Sequence, residues 1–352
     1  MTRSRLFVRF GLTSVALLAL ALVCLGTPSA QSQSRYPLVR CSDETPCVPQ
    51  EEILAAFGAR SDAWTIHKRV DEVAVFFTAT HRRSFVPDLV VEDIRITDNH
   101  TPVSNISAFK HQHDLPLRLG LVLDTSGSVN PRFRFEQEAA IQFLHRIVRE
   151  EVDRAFVLGF SDHFKVTQDY SDDPRLLAAG VMALHNGGGT ALFDAIELAC
   201  DKLATAVADE SPAARILIVL SDGADNASKS SLKQALQVAQ ARDVTLYTIN
   251  TRVDSIDTHG SYATSEGDAV LKRLAEDSGG QFFSWLSPSG VARAFSIIEE
   301  EMRNRYVLFY RPNQLAADGR FHRIQISARR AGRPVHVRAR KGYYARSELL
   351  PD

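Results

Sequence analysis

The chain has 352 residues, 45% of them apolar and 24% charged, and a formal net charge of −1. That length allows two domains, and the composition is that of an ordinary globular protein rather than a disordered or fibrous one. A charge balance this close to neutral gives no ground for a nucleic-acid partner.

Arg3, Arg5 and Arg9 precede the apolar run Leu12–Leu25, and small residues follow at Ala30 and Ser32. This is the pattern of a secretory signal peptide over residues 1–32. The run is short against the roughly 20 residues of a membrane span. An uncleaved N-terminal anchor is the second reading, and the only expected route to a membrane. Val23 before Cys24 does not fit a lipoprotein cleavage site. Loss of the signal removes three arginines and no acid, taking the formal charge from −1 to −4. The expected location is extracytoplasmic: periplasmic or secreted.

Residues 33–63 are polar, with Pro37, Pro46 and Pro49 and a short helix-like stretch, Glu51–Gly58. They read as a linker. Cys41 and Cys47 bracket five residues and can close a small disulfide in an oxidising compartment, or remain two thiols. Cys200 falls in an apolar helical pattern and reads as a buried hydrophobe.

Residues 64–113 are rich in β-formers. Trp64–Val70, Glu72–Thr80, Leu89–Thr97 and Val103–Lys110 are strand-like runs separated by turn signals such as Val86-Pro87-Asp88 and Asp98-Asn99-His100. From residue 115 to 304 strand and helix patterns alternate. Strands are expected at Leu117–Leu123, Ala155–Phe160, Phe164–Thr167, Arg215–Leu220, Val244–Ile249 and Gln281–Ser284. Helices are expected at Phe133–Glu150, Pro174–Leu184, Ala191–Ala208, Ser230–Arg242, Asp268–Ser278 and Gly290–Arg303. Such alternation predicts a mostly parallel sheet with helices on both faces. Residues 305–346 are β again, at Tyr306–Tyr310, Phe321–Ala328 and Val335–Arg340, with turn signals at Asp318-Gly319 and Gly332. Neither β stretch is large enough to bury a good core alone. Residues 64–113 and 305–346 are therefore expected to pair as one split β-sandwich, with 115–304 as an insertion.

The chemistry concentrates where the first α/β strand ends. Leu119–Leu123 reads as a strand buried on both faces, and it runs into Asp124, Ser126 and Ser128. Pro131 suits the first turn of a following helix. The three side chains therefore sit on a turn at the C-terminal end of a central strand, where open α/β sheets place ligands. One carboxylate and two hydroxyls form a hard oxygen set, suited to Mg²⁺, or less decisively to Mn²⁺ or Ca²⁺, and not to zinc. Alone, Asp-x-Ser-x-Ser is often a turn with a helix cap. Two later segments strengthen it: Gly187-Gly188-Gly189-Thr190 opening a helix, and Ile216–Leu220 running into Ser221-Asp222-Gly223.

The set Asp124, Ser126, Ser128, Thr190, Asp222 resembles the metal-ion-dependent adhesion site of a von Willebrand factor type A (vWA) domain, with all five positions matched over roughly residues 115–304. The resemblance implies an α/β fold with a Rossmann-like, doubly wound, mostly parallel sheet, flanked here by the all-β sandwich-like unit. It implies that Ser126, Ser128 and Thr190 bind the metal through hydroxyls. Asp124 and Asp222 would act largely through waters, one sometimes moving to direct contact. Val90–Asp98 ahead of the domain and Arg338–Tyr344 at its end resemble the acidobacterial vWA-related family of exported bacterial proteins.

Neutral hydroxyls and water-bridged carboxylates leave a cation's charge poorly neutralised, so a carboxylate from a protein partner, Asp or Glu, would complete its shell. Loops 161–173, 223–228 and 251–267 are the expected specificity elements. The last carries Asp254, Asp257, His259 and Glu266, read as a solvated acidic loop rather than a second cation site. A structural metal without a partner is the bland alternative. An enzyme is not expected: no Gly-x-Ser-x-Gly or His-Glu-x-x-His motif occurs, His111 and His113 read as surface residues, and metal-assisted hydrolysis with Asp222 as base lacks a second catalytic group. A scaffold role rests on nine Lys or Arg between Arg320 and Arg346, a basic run that could meet an anionic envelope surface. The plainer reading is the polar face of alternating strands. Asn99, Asn105 and Asn226 begin Asn-x-Ser/Thr triplets, a pattern common by chance.

Overall fold

The structure is a computed structural model and describes residues 72–82, 84–127, 133–205, 213–252, 265–284, 288–312 and 319–345. The expected signal peptide and linker with Cys41 and Cys47, the run Trp64–Val70, Ser128, Asp254, Asp257 and His259 lie outside the described residues. Residues 69–352 group as one compact unit.

The β part begins with β1 (Val73–His81), β2 (Ser84–Phe85), β3 (Ile94–Asp98), β4 (Thr101–Pro102) and β5 (Ile106–His111). The expected run Leu89–Thr97 is strand only from Ile94, because Val91–Asp93 forms a 3-10 turn closed by the Asp93 carboxylate on the Val90 N–H. A second 3-10 turn, Gln112–Asp114, leads into the α/β part.

That part comprises β6 (Leu117–Asp124), α1 (Phe133–Ile147), β7 (Arg154–Phe160), β8 (Phe164–Ser171), α2 (Pro174–Met182), α3 (Leu192–Thr205) and β9 (Ala214–Ser221). It continues through α4 (Leu232–Ala241), β10 (Val244–Asn250), α5 (Glu266–Ser278), β11 (Phe282–Ser284) and α6 (Pro288–Asn304). Sequence sets the helix starts: Asp173 caps α2 ahead of Pro174, and Ser231 and Ser265 form capping boxes with Gln234 and Asp268.

The six strands lie in the order β11-β10-β9-β6-β7-β8. All pairs are parallel except β7 with β8. The chain moves outward from β6 through β7 to β8, then returns to β9 on the other side of β6. The strand order therefore reverses between β6 and β9, the crevice where such sheets hold ligands. On one face Leu119, Leu121 and Leu123 of β6 pack with Phe143 of α1, Leu177 of α2 and Phe295 of α6. On the other, Val122 packs with Ile196 of α3, Leu236 of α4 and Leu271 of α5. Burial on both faces is why the run shows no polar alternation. Cys200 is buried in that second core, where burial pushes its thiol pKa up.

The chain closes with β12 (Tyr306–Tyr310), β13 (Phe321–Arg330), β14 (Arg333–Ala339) and β15 (Gly342–Tyr344). These strands interleave with the N-terminal ones along one path, β4-β3-β13-β14-β1-β12-β5, with β2 on β1 and β15 on β13. The path curls over a single core in which Val75 and Phe77 of β1 meet Ile96 of β3, Leu308 of β12 and Ile324 of β13. Ala331 (φ 48°) and Gly332 (φ 76°) make the left-handed turn between β13 and β14.

Three basic residues near the end of the basic run bind across to the α/β part. Arg338 pairs with Glu301 of α6, Arg340 with Asp243 and Lys341 with Asp277 of α5. At the junction of α6 and β12, the fully buried Arg305 lies over the Phe76 ring and donates to Tyr247 and Thr245. Gly279, the left-handed C-cap of α5, brings this edge close: a Cβ there would stand 2.6 Å from the Arg340 amide nitrogen.

Candidate metal site

Asp124 ends β6 and is wholly shielded from solvent. One carboxylate oxygen accepts the Ser126 N–H at 2.9 Å, and the other accepts the Ser221 hydroxyl at 2.7 Å. Ser221 is the last residue of the adjacent strand β9, and its Oγ also takes the Gly223 N–H at 3.1 Å. Burial lifts the Asp124 carboxyl above the usual carboxylate range, the bonds from Ser126 and Ser221 oppose this, and the nearby Asp222 charge reinforces it.

Asp222 is half-buried, just past β9, and accepts the Ala224 N–H at 3.0 Å. The turn is compact because Gly223 (φ 78°) lies against the Gly267 backbone in the first turn of α5. A Cβ on Gly267 would overlap the Asp222 carbonyl. Thr190 precedes α3 and is 4% exposed. Its N–H bonds Asn226 Oδ1 at 2.9 Å, and its carbonyl accepts the N–H groups of Asn226 (3.0 Å) and Ala227 (3.1 Å). The Gly loop is pinned on both sides: Gly187 donates to the Thr125 carbonyl at 2.7 Å and Ala191 to the Ser161 carbonyl at 2.9 Å.

The fold thus gathers Asp124, Ser126, Thr190 and Asp222 at the C-terminal ends of β6 and β9 and the start of α3. Ser128 lies outside the described residues. Sequence reasoning missed Ser221 and Asn226, which hold the set in place. Ser221 had one sequence signal, its position as the polar end of an apolar strand. Asn226 had only an Asn-x-Ser triplet, which points elsewhere. Loop 223–228 is held by more than Asn226: Asp225 and Ser228 satisfy the Phe193 N–H at the start of α3, both at 3.0 Å. The expected specificity loop 161–173 is mostly strand β8, leaving 161–163 as loop, with Asp162 close beside Gly188.

The donor set fits a hard divalent cation. Two carboxylates oppose each other electrostatically, one of them buried, and the remaining donors are hydroxyls. Among the described residues no group of three His, Cys, Asp or Glu side chains is arranged to hold a metal, so hydroxyls are needed to fill a shell here.

The sequence profile of the von Willebrand factor type A domain matches residues 119–290. The chain contains a vWA domain. Similar solved structures include a von Willebrand factor type A protein from Catenulispora acidiphila, at 13% identity and TM-score 0.45, over 79% of this chain and 74% of that one. The vWF domain of the type V pili tip protein Mfa5 from Porphyromonas gingivalis matches at 15% and 0.41, over 53% and 94%. The PilB minor pilin from Streptococcus sanguinis matches at 12% and 0.42, over 54% of this chain and 62% of the pilin. These are distant likenesses. No curated protein matches the chain by sequence.

Proposed function

We propose that the chain is an extracytoplasmic binding protein. A divalent cation, Mg²⁺ or else Mn²⁺ or Ca²⁺, would be held by Asp124, Ser126, Ser128, Thr190 and Asp222, and completed by an Asp or Glu carboxylate of a protein partner. One observation carries this reading: a buried carboxylate, Asp124, held by Ser126 and Ser221 beside a second carboxylate at the sheet's reversal point. Without a cation the two charges repel. With one, neutral hydroxyl ligands and carboxylates acting through water leave the charge poorly neutralised at the ion itself, which favours an anionic ligand there.

In this reading residues 115–304 are the Rossmann-like, doubly wound vWA domain. Residues 64–113 with 305–346 are one split, sandwich-like β domain, a division supported by their common core. The role we propose is binding without catalysis; among the described residues Asp124 is held by the Ser221 hydroxyl and by Ser126. The basic run is the weaker alternative surface, because Arg338, Arg340 and Lys341 are engaged inside the chain.

The test is retention of an envelope or secreted protein on the immobilised chain, with Mg²⁺ or with EDTA, using wild type and Asp124→Ala. Retention only with metal, lost in the variant, is expected. Retention indifferent to both would remove the metal from binding.

A further inference from the structure

Directly opposed residues of neighbouring strands share a face, so the pairing registers carry one face across the whole β part. Val75 and Phe77 of β1, Leu308 of β12, Ile96 of β3 and Ile324 of β13 mark the inner face, around the core. The opposite face has two fates. At β1 and β12 it is covered: Ala74, Phe76, Val307 and Phe309 pack with Leu115, at the entry to the α/β part. At β3 and β13 it is open. Arg95 of β3 and Phe321, Arg323, Gln325, Ser327 and Arg329 of β13 alternate with core residues, and all are exposed.

That open face is basic. Arg323 and Arg329 stand ~20 Å apart along β13 at ~3.3 Å per residue. Arg95 lies between them on the adjacent strand, opposite Ser327. Its guanidinium donates only to the backbone carbonyls of Glu92 and Ile94, and among the described residues none of the three arginines pairs with a carboxylate. The remaining places on this face of the two strands are held by Thr97, Gln325 and Ser327, with no acid. The chain as a whole carries a formal charge of −1, so the basic face is a local asymmetry. One end of the face is aromatic. Phe321, 37% exposed, meets Tyr344 of β15 edge-on, with 5.2 Å between ring centroids. The two residues oppose each other in the register, so both belong to the open face. A Cβ on Gly342 would overlap the Phe321 ring, which therefore lies along β15 and outside the core.

We propose that the open face of β3 and β13 docks on an anionic lipid bilayer, with Arg95, Arg323 and Arg329 at the headgroup phosphates and Phe321 at the interface. Guanidiniums in line with an exposed ring are what such a surface rewards: cations gain from the lipid charge and the ring settles at headgroup level. A soluble polyanion would engage the cations and gain little from the ring. The basic run thereby divides, Arg338, Arg340 and Lys341 holding the molecule together while Arg323 and Arg329 face outward. None of the candidate metal ligands takes part.

The experiment is cosedimentation of the full chain, in EDTA, with phosphatidylcholine vesicles that contain or lack about 30% phosphatidylglycerol. Neutral vesicles give the baseline for the apolar run Leu12–Leu25, which can bind lipid by itself. Binding above that baseline is expected only with phosphatidylglycerol, and should vanish in about 0.5 M salt. Arg95→Gln, Arg323→Gln and Arg329→Gln should each weaken it about fivefold, and the triple variant about 100-fold. Arg329→Lys should keep it, Arg134→Gln on α1 should leave it unchanged, and Phe321→Ser should weaken it about fivefold. Equal binding to both vesicles would overturn the proposal, as would a loss in Arg134→Gln as large as in Arg329→Gln. Binding indifferent to Phe321→Ser would give the face to a soluble polyanion and overturn it too. Should that variant fail to fold, competition decides instead: soluble polyglutamate at matched charge must leave the chain on the vesicles, and displacement overturns the proposal.

Discussion

Asp124 shows at the scale of one residue how function sets itself against stability. A carboxylate removed from water beside another carboxylate is unfavourable, which is why its folded pKa is raised, and the proposed cation would relieve that cost. Asp124→Asn keeps an acceptor for the Ser126 N–H and removes the charge. The metal-free variant should melt higher than metal-free wild type, and its melting temperature should no longer respond to Mg²⁺. Scanning calorimetry with and without the ion checks both. Ser221→Ala removes a bond to a buried charge, an effect of about 1.5–3 kcal/mol, so Mg²⁺ affinity should fall about 10-fold or more while the fold persists. A titration of that variant decides it. Of the five candidates named from residue type and from places after apolar runs or a glycine loop, the fold brings Asp124, Ser126, Thr190 and Asp222 to one end of the sheet, and those positions were legible in the sequence. Ser221 and Asn226 were not, because each acts through a hydrogen bond to a residue 97 or 36 positions away.

Elements were legible in proportion to their burial. The two-sided strands β6, β9 and β10 stand within a residue or two of where their apolar runs predicted. The edge strand β8 was legible only in its first half: it starts at Phe164 as expected but runs to Ser171, beyond Thr167, because an exposed strand paired on one side carries little apolar signal. The three-residue β15 was missed for want of length. Contacts between elements were invisible too. The basic pattern of β14 reads as a solvated face, yet Arg338 pairs with the buried Glu301, which also accepts from Tyr247 at 2.6 Å. Glu301→Gln leaves Arg338 without its charge partner and should destabilise the protein by about 3 kcal/mol, by the usual effect of breaking a buried pair. Urea unfolding of Glu301→Gln, Arg338→Met and the double variant would show this, with the double less destabilised than the sum of the singles.

At the scale of the whole molecule, strands from both ends of the chain close one β core around the ends of the α/β part. Arg305 and the three cross-links bind the two parts. The sequence suggested that the two β stretches pair because neither could bury a core alone, and strands within 73–111 and 306–344 lie on one path. It did not foretell one curled path through all the strands, which follows from β13 and β14 inserting between β3 and β1. The two parts should therefore unfold together, giving coincident transitions by near-UV and far-UV circular dichroism. Two separated transitions would mean that the cross-links carry little of the coupling.

The central claim, a divalent cation at Asp124, is tested most directly by calorimetric titration of Mg²⁺ and Mn²⁺ into wild type, Asp124→Ala and Thr190→Ala. A single-site isotherm for wild type, lost in Asp124→Ala and weakened in Thr190→Ala with melting curves intact, is the predicted result. Absent saturation in wild type, or equal affinity in all three proteins, would contradict it.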